Sequence, residues 1–157
     1  MREITALVHT QGDALRIGRC LETLYPCNEI LIVDHGSKDG TVRVAQEYGA
    51  KIMRVPGGSS EKIPRQASSD WILCLDPRES LTESLAASLY EWKTELSPQQ
   101  RVFSMFLREE TAEGWAENPT PQTRLVPAVW DRWHGFFPAN DASASCLKGD
   151  LLRFVLP

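Results

Sequence analysis

The sequence lacks the features that would assign it to several specialised classes of protein. None of its apolar runs approaches the roughly 20 residues that a membrane-spanning helix needs. Its 17 basic residues are outnumbered by 21 acidic ones, and no cluster of lysine and arginine offers a patch for a nucleic-acid backbone. The opening residues, MREITALVHTQGD, contain too short an apolar stretch for a signal peptide. These absences predict a cytoplasmic protein with no transmembrane segment that does not bind nucleic acid.

Cysteine is sparse and scattered. The four cysteines form no CxxC pair and stand at positions 20, 27, 74 and 146. This spacing suits neither a disulfide framework nor a zinc site, and it predicts reduced thiols. With 157 residues, of which 42% are hydrophobic and 24% charged, the chain is predicted to form a single globular domain, 1–157.

Strand and helix patterns alternate over about the first 95 residues. The segments ITALV, EILIVD, KIMRV and WILCLD are predicted strands. Helical spacing of apolar residues predicts helices between and after them: one with Asp13 as N-cap and Ile17, Cys20, Leu21 and Leu24 inward, one with Val42, Ala45 and Tyr48 inward, and one marked by Leu81, Leu85, Leu89, Trp92 and Leu96. This order predicts an α/β fold with parallel strands joined by crossover helices.

The later part of the chain is less regular. RVFSMFL and RLVPAVW are predicted strands, and CLKGDLLRFV is predicted to be a last element. The segment between the first two is rich in turn residues. Another irregular segment, residues 56–69, is rich in Gly, Ser and Pro, and we predict it to be a mobile lid over the ligand site.

Polar residues end three of the predicted parallel strands. Thr10 and Gln11 follow the first strand, Asp34 ends the second, and Asp76 ends the fourth. Because the carboxyl ends of parallel strands line the crevice in which open α/β sheets bind ligands, these side chains are candidate ligand contacts. An ordinary turn is the alternative for Asp34, since DHGSKDGT also suits an Asx turn followed by a helix start.

A family resemblance is carried by ITALVHTQGD, ILIVDHGSKDGT and SSDWILCLDPRES, in order and at appropriate spacing. These segments resemble the nucleotide-binding half of a family 2 glycosyltransferase with the GT-A fold, and are most similar to the subgroup that builds lipopolysaccharide cores and other surface glycans. The resemblance covers about residues 3–92, with a weaker echo over 122–153. It implies a compact, mostly parallel GT-A sheet flanked by helices, with residues 1–95 as the nucleotide-binding half and 96–157 as a smaller acceptor-side half.

The resemblance also implies a set of partners and site residues. The partners would be a nucleotide-sugar donor and a glycan or lipid-linked acceptor, with peripheral membrane contact. Mg²⁺ or Mn²⁺ would bind weakly or not at all, through Asp76 and Glu79. The implied nucleotide-sugar contacts are Thr10, Gln11, Asp13, Asp34, Gly36, Ser37, Arg65, Asp76 and Arg78.

Several positions depart from the family pattern. The usual Asn-Glu after the first strand is Gly12-Asp13. The usual Asp-Ala-Asp-Glu is Asp-Pro-Arg-Glu, so that Arg78 replaces the second acid. The helix before the fourth strand is shortened, which leaves Arg65 as its diphosphate contact, and the late His-Glu pair has become Phe-Pro at 137–138. These departures make a catalytically degenerate nucleotide-binding or regulatory subunit the alternative to an active transferase.

Two further expectations concern charged residues. Residues 76–78 are predicted to be extended, which would point the side chains of Asp76 and Arg78 together into the crevice. Arg78 is expected to pair with Asp76 and weaken metal binding, to bind the diphosphate directly in place of the metal, or to turn to solvent and pair with Glu83. Asp131 and Asp141 are the candidate bases for deprotonating an acceptor hydroxyl. The sequence does not rank these two, and each also suits a loop or a helix cap.

Overall fold

The computed structural model describes residues 1–56, 67–95 and 102–155. The first two ranges contain β1 (Ile4–Thr10), α1 (Ile17–Leu21), β2 (Glu29–Asp34), α2 (Thr41–Glu47), β3 (Lys51–Arg54), β4 (Trp71–Leu75), β5 (Glu79–Leu81) and α3 (Glu83–Thr94). The third contains β6 (Phe103–Thr111), β7 (Gly114–Glu117), β8 (Gln122–Pro127), β9 (Trp133–His134), β10 (Phe137–Pro138) and β11 (Ser145–Arg153). Most of the predicted lid, 56–69, lies outside the described residues, and so does Arg65.

One mixed sheet contains nine of these strands. Its order is β3-β2-β1-β4-β8-β6-β11-β5, with β7 paired to part of β6. Strands β3, β2, β1 and β4 run parallel, which confirms the arrangement predicted from the alternation of strands and helices. β8 pairs antiparallel to β4, and β11 pairs parallel to β6. The sheet is therefore continuous from the first half of the chain to the second.

The sheet is covered on both faces. Side chains from all three helices pack on one face against residues such as Val8 and Leu75. Leu7 and Val33 lie on the other face, where Trp133 and Phe137 of the short β9–β10 hairpin pack against their cluster. Because neighbouring residues of a strand point to opposite faces, a strand covered on both sides is apolar throughout. This explains why the consecutive residues Ala6, Leu7 and Val8 of β1 are all apolar and buried.

Three helix predictions differ in detail from the structure. Asp13 does not cap α1 with its side chain, because that carboxylate accepts hydrogen bonds from the Thr10 hydroxyl and the Gln11 backbone, and the helix begins at Ile17. Tyr48 is 41% exposed and lies beside Gly18 on the surface of α1. Leu81 is buried as expected, but it belongs to β5, which pairs with β11.

The remaining fold-level expectations concern thiols and membranes. All four cysteines are free, and burial raises the pKa of Cys74 to about 12. Among the described helices, none combines the length and the apolar character that crossing a bilayer requires.

Strand β11 is held tightly against helix α3. The Thr82 hydroxyl, which also caps α3, donates to the carbonyl of Asp150 at 2.7 Å, and the Ser88 hydroxyl donates to that of Lys148 at 2.6 Å. Gly149 lies between these two carbonyls, with φ +104°, and a Cβ atom built there would stand 2.3 Å from the backbone nitrogen of Leu85. The helix can approach the strand this closely because residue 149 has no side chain.

We therefore expect Gly149→Ala to be strongly destabilising. The change combines a backbone clash with an unfavourable φ, and we expect the free energy of unfolding in urea to fall by about 3 kcal/mol. Gly114→Ala is the control, because Gly114 has φ +118° but no atom within 4 Å of the added Cβ, so it tests backbone strain alone. An equal loss of stability in both variants would show that the contact with α3 is not what requires glycine.

Candidate functional site

Asp34 lies at the carboxyl edge of the sheet beside Thr10. The two residues are register partners at the ends of β2 and β1. Asp34 is 1% exposed; its Oδ2 accepts a hydrogen bond from the Ser37 backbone at 3.2 Å. Its Oδ1 is buried and has no hydrogen-bond partner among the described residues. Because a buried acceptor without a partner is costly, this oxygen is suited to receive an N–H or O–H from a ligand.

The loops after β1 and β2 are bound to each other by polar contacts. The Thr10 hydroxyl donates to Asp13 at 2.6 Å, and the backbone nitrogen of Asp13 donates to the Thr41 hydroxyl at 2.9 Å. The Ser37 hydroxyl accepts from the backbone nitrogen of Gly12 at 2.9 Å. These contacts hold the two loops together around Asp34. Sequence reasoning placed Thr10, Asp13 and Ser37 here, and the structure brings them together.

Asp39 makes a second set of contacts between the same loops. Its carboxylate accepts hydrogen bonds from the hydroxyl and the backbone nitrogen of Thr41, and from the backbone nitrogen of Ala14 at 3.3 Å. The hydrogen bonds from Thr41 lower the pKa of Asp39 below its usual value. Gln11 and Gly36, the other predicted contacts of these loops, are exposed at the same edge.

A cluster of two histidines and a phenylalanine lies at the carboxyl edge of the sheet, on the face that the β9–β10 hairpin covers. His9 Nδ1 and His35 Nε2 are 2.8 Å apart, so that one ring donates to the other. The Phe136 ring, in the hairpin turn, stacks on His9 with centroids 3.9 Å apart. Sequence reasoning assigned His35 no role and missed this cluster. The available signal was that both histidines lie at the ends of adjacent parallel strands.

Asp76 and Arg78 form an ion pair just after β4. The guanidinium approaches the carboxylate with both ends of its fork, Nε–Oδ1 at 2.9 Å and Nη2–Oδ2 at 3.2 Å. Burial would raise the pKa of Asp76, but the hydrogen bonds and charge of Arg78 outweigh burial and lower it. The pairing with Asp76 is the first of the three expected arrangements. Its geometry is a turn rather than the extended segment we predicted, because Glu79 N bonds back to Asp76 O.

Glu79 is fully buried between two arginines. Arg124, on β8, contacts both of its oxygens at 2.6 and 3.0 Å, and Arg153, on β11, contacts Oε2 at 2.8 Å. Glu79 also accepts from the Asp76 backbone at 2.8 Å. Burial would raise the pKa of Glu79, but these charges and hydrogen bonds lower it. Sequence reasoning missed both arginines. Their signal was a cation directly beside apolar residues of a strand, before them in RLVP and after them in DLLR.

A divalent metal does not fit the predicted ligands as they are arranged. Both oxygens of Asp76 are engaged by Arg78, and Glu79 is enclosed by Arg124 and Arg153. The described residues also contain no group of three or more metal-ligating side chains. A cation at this position would have to displace a guanidinium from Asp76, because the charges of Arg78 and the metal repel each other.

The two candidate bases differ in their surroundings. Asp131 is exposed and makes no hydrogen bond with the described residues. Asp141 accepts two hydrogen bonds from Ser143 and pairs with Arg132 at 2.9 Å. The hydrogen bonds from Ser143 lower the pKa of Asp141, which makes it a weaker base.

Comparison with known proteins assigns the chain to a family. The family model described as glycosyl transferase family 2 matches residues 12–95, a range that includes Asp13, Asp34, Asp76 and Arg78. The chain belongs to glycosyl transferase family 2. The family model covers more than half of the chain and ends at residue 95, the first residue after α3.

Curated relatives that are named as glycosyltransferases support the same assignment. The lipopolysaccharide core biosynthesis glycosyltransferase LpsC of Rhizobium meliloti is 31% identical over 97 residues, which are 56% of this chain and 36% of that protein. A TPR repeat-containing protein of Synechococcus elongatus is 28% identical over 131 residues, 80% of this chain and 31% of that protein. The chain spans about a third of the length of these relatives.

Solved structures show that the fold is GT-A. S. aureus TarS 1–349 superposes with a TM-score of 0.56 at 18% identity, over 71% of this chain and 37% of that one. Glucosyl-3-phosphoglycerate synthase from Mycobacterium tuberculosis, in complex with Mg²⁺ and UDP, superposes with a TM-score of 0.52 at 17% identity, over 68% and 44%. The predicted α/β class and GT-A fold are therefore confirmed.

We expect Glu79→Gln to destabilise the protein by about 3–5 kcal/mol, because it leaves two arginine charges at a buried position without their partner. The control is Glu109→Gln, since Glu109 also pairs with Arg153 but is 45% exposed, and the loss there should be at most about 1 kcal/mol. Urea denaturation at pH 7 measures both. Similar losses in the two variants would contradict the role given to burial.

The same residue predicts an acid dependence of stability. Because the pKa of Glu79 is lower in the folded state, its contribution is complete above the unfolded-state value of about 4.3 and is lost as the pH falls toward the folded pKa. Glu79→Gln should therefore lose less stability than the natural protein between about pH 4.5 and 3. Parallel pH profiles of the two proteins would show that folding does not lower the pKa of Glu79.

Proposed function

We propose that this chain is the donor-binding part of a glycosyltransferase that moves a sugar from a nucleotide-diphosphate sugar to a glycan or lipid-linked acceptor. The observation that carries the proposal is the unpaired, buried Oδ1 of Asp34 at the carboxyl edge of the sheet in a family 2 chain. A ring N–H or a ribose hydroxyl would satisfy that oxygen, and a cytoplasmic location would give access to such donors.

The surrounding residues have complementary roles in this proposal. Thr10, Asp13 and Ser37 hold the two loops in place around Asp34. Gln11 and Gly36 are exposed beside them and would contact the nucleotide. Arg65 and Arg78 would contact the diphosphate. Binding energy would come mainly from the base and ribose, in a site that is already formed before the donor arrives.

Transfer would be a displacement at the anomeric carbon of the donor sugar. A base takes the proton from the acceptor hydroxyl as its oxygen attacks, and the nucleoside diphosphate leaves. We favour Asp131 over Asp141 for this role, because Asp141 is engaged by Ser143 and Arg132. The similarity to LpsC, whose name refers to the lipopolysaccharide core, supports a surface glycan or its lipid-linked precursor as acceptor.

The second candidate function is a nucleotide-binding subunit without transferase activity. The pairing of Arg78 with Asp76 favours it, because the family pattern has an acid at position 78. The two functions differ in turnover. A transferase releases free nucleoside diphosphate from a nucleotide sugar when acceptor is supplied, whereas a binding subunit holds the nucleotide sugar unchanged.

We expect Asp34→Asn to lower nucleotide affinity about 10- to 100-fold, because a charge-assisted hydrogen bond to the ligand is lost. Calorimetry with UDP, GDP, CMP and dTDP measures the change. Stability should not fall, since a buried charge with an unpaired oxygen is removed while the Ser37 contact can be kept. The matched control is Asp70→Asn, at the opposite edge of the sheet before β4. Unchanged affinity in the Asp34 variant, or equal losses in both variants, would place the nucleotide elsewhere.

A further inference from the structure

The guanidinium of Arg78 is held in a fixed orientation by Asp76. Besides the two side-chain contacts, the backbone nitrogen of Arg78 donates to the same Asp76 oxygen at 2.9 Å. A guanidinium has five N–H groups, of which this fork uses two. The other three have no partner among the described residues, and the side chain is 41% exposed. Arg78 therefore presents oriented donors to solvent beside the carboxyl end of β4.

Neither acid of this segment has a free oxygen to offer to a metal. Asp76 accepts three hydrogen bonds from Arg78, counting its backbone nitrogen. Glu79 has no exposed surface, and its contacts with Arg124 and Arg153 hold together β5, β8 and β11. Using Glu79 as a ligand would break this buried network. Binding a cation at Asp76 would separate a fork–fork ion pair and bring two positive charges together.

Arg78 itself has the chemistry that a diphosphate requires. A guanidinium is planar, keeps its charge at physiological pH and binds phosphate oxygens through paired N–H donors. Its pKa is raised further by the hydrogen bond and charge of Asp76, so it stays protonated wherever the protein is folded. A nucleoside whose base reaches Asp34 would place its phosphates along the carboxyl edge of the sheet, where β4 is adjacent to β1.

We propose that Arg78 replaces the divalent cation in this chain: it binds the diphosphate of the nucleotide directly, with Asp76 as the residue that positions it. Nucleotide binding then needs no metal, and the carboxylate that the family pattern assigns to a metal serves instead to orient a guanidinium. This inference rests on the proposed function, because it requires a nucleotide at the Asp34 edge. Arg78 supplies its charge to the phosphates both in the bound donor and in the departing nucleoside diphosphate.

The test separates the phosphate contribution from the nucleoside contribution. Calorimetric dissociation constants are measured for three pairs, UDP with uridine, GDP with guanosine and dTDP with thymidine, each in EDTA and in Mn²⁺. The dissociation constant of the nucleoside divided by that of the diphosphate gives the factor by which the phosphates increase affinity. We expect this ratio to be about tenfold or more for the preferred base, and to be the same within about twofold with and without Mn²⁺.

Substitutions at position 78 then identify the source of that ratio. Arg78→Gln should bring it close to one while leaving nucleoside affinity unchanged, which a general loss of folding would not do. Arg78→Lys should restore only part of it, because an ammonium cannot form the fork with Asp76. Arg78→Asp should restore it in Mn²⁺ but not in EDTA. Lys148→Gln, which removes an exposed charge on β11, is the control and should change none of these values.

Each contrary outcome has a definite meaning. If the natural protein binds diphosphates more tightly than nucleosides only in Mn²⁺, the inference is wrong and the proposed function stands. If the ratio of nucleoside to diphosphate dissociation constants in EDTA is unchanged by Arg78→Gln, another residue binds the diphosphate and the inference is again wrong. If neither nucleosides nor diphosphates bind under any condition, the proposed function fails and the inference fails with it.

Discussion

The buried charge of Glu79 is the constraint on which the rest of this structure depends. A carboxylate with no exposed surface is tolerated because two guanidinium groups and a backbone N–H surround it. Those partners come from β8, from β11 and from the end of β4. One residue therefore joins the parallel first half of the sheet to the mixed second half, and it fixes the backbone of Asp76 at the crevice. The orientation of Arg78 follows from that fixed position.

The parallel part of the fold could be predicted from the sequence because its signals are local. The strands from β1 to β4 are short segments that contain apolar residues and end in polar or turn residues, and the helices after β1 and β2 follow a 3.6-residue period. Thr10 and Asp34 could be placed at one edge because consecutive parallel strands end on the same side. The position of Asp13 at this edge could be predicted, but its hydrogen bonds could not. Its carboxylate accepts a hydrogen bond from Thr10 instead of capping α1.

The rest depends on contacts between residues far apart in the chain. Glu79 meets Arg124 and Arg153 across separations of 45 and 74 residues, and no local pattern indicates such a pairing. The same applies to Phe136, which reaches His9 from a two-stranded hairpin whose strands are two residues long. The requirement for glycine at position 149 likewise depends on the close approach of α3. The sequence shows that Arg78 stands where the family pattern has an acid. The ion-pair partner of Arg78 depends on the turn at Asp76, which the sequence did not indicate.

We propose that the carboxyl edge of β1, β2 and β4 binds a nucleoside diphosphate through Asp34 and Arg78 without a metal. An NMR titration of the ¹⁵N-labelled protein with UDP in EDTA tests this directly, if it follows the Arg78 Nε–H and the Ser37 amide, which contacts Asp34. Both resonances are expected to shift with one common dissociation constant. This proposal would be contradicted if they stayed in place while residues at the opposite edge, such as Asp70, shifted, or if they moved only after Mg²⁺ was added.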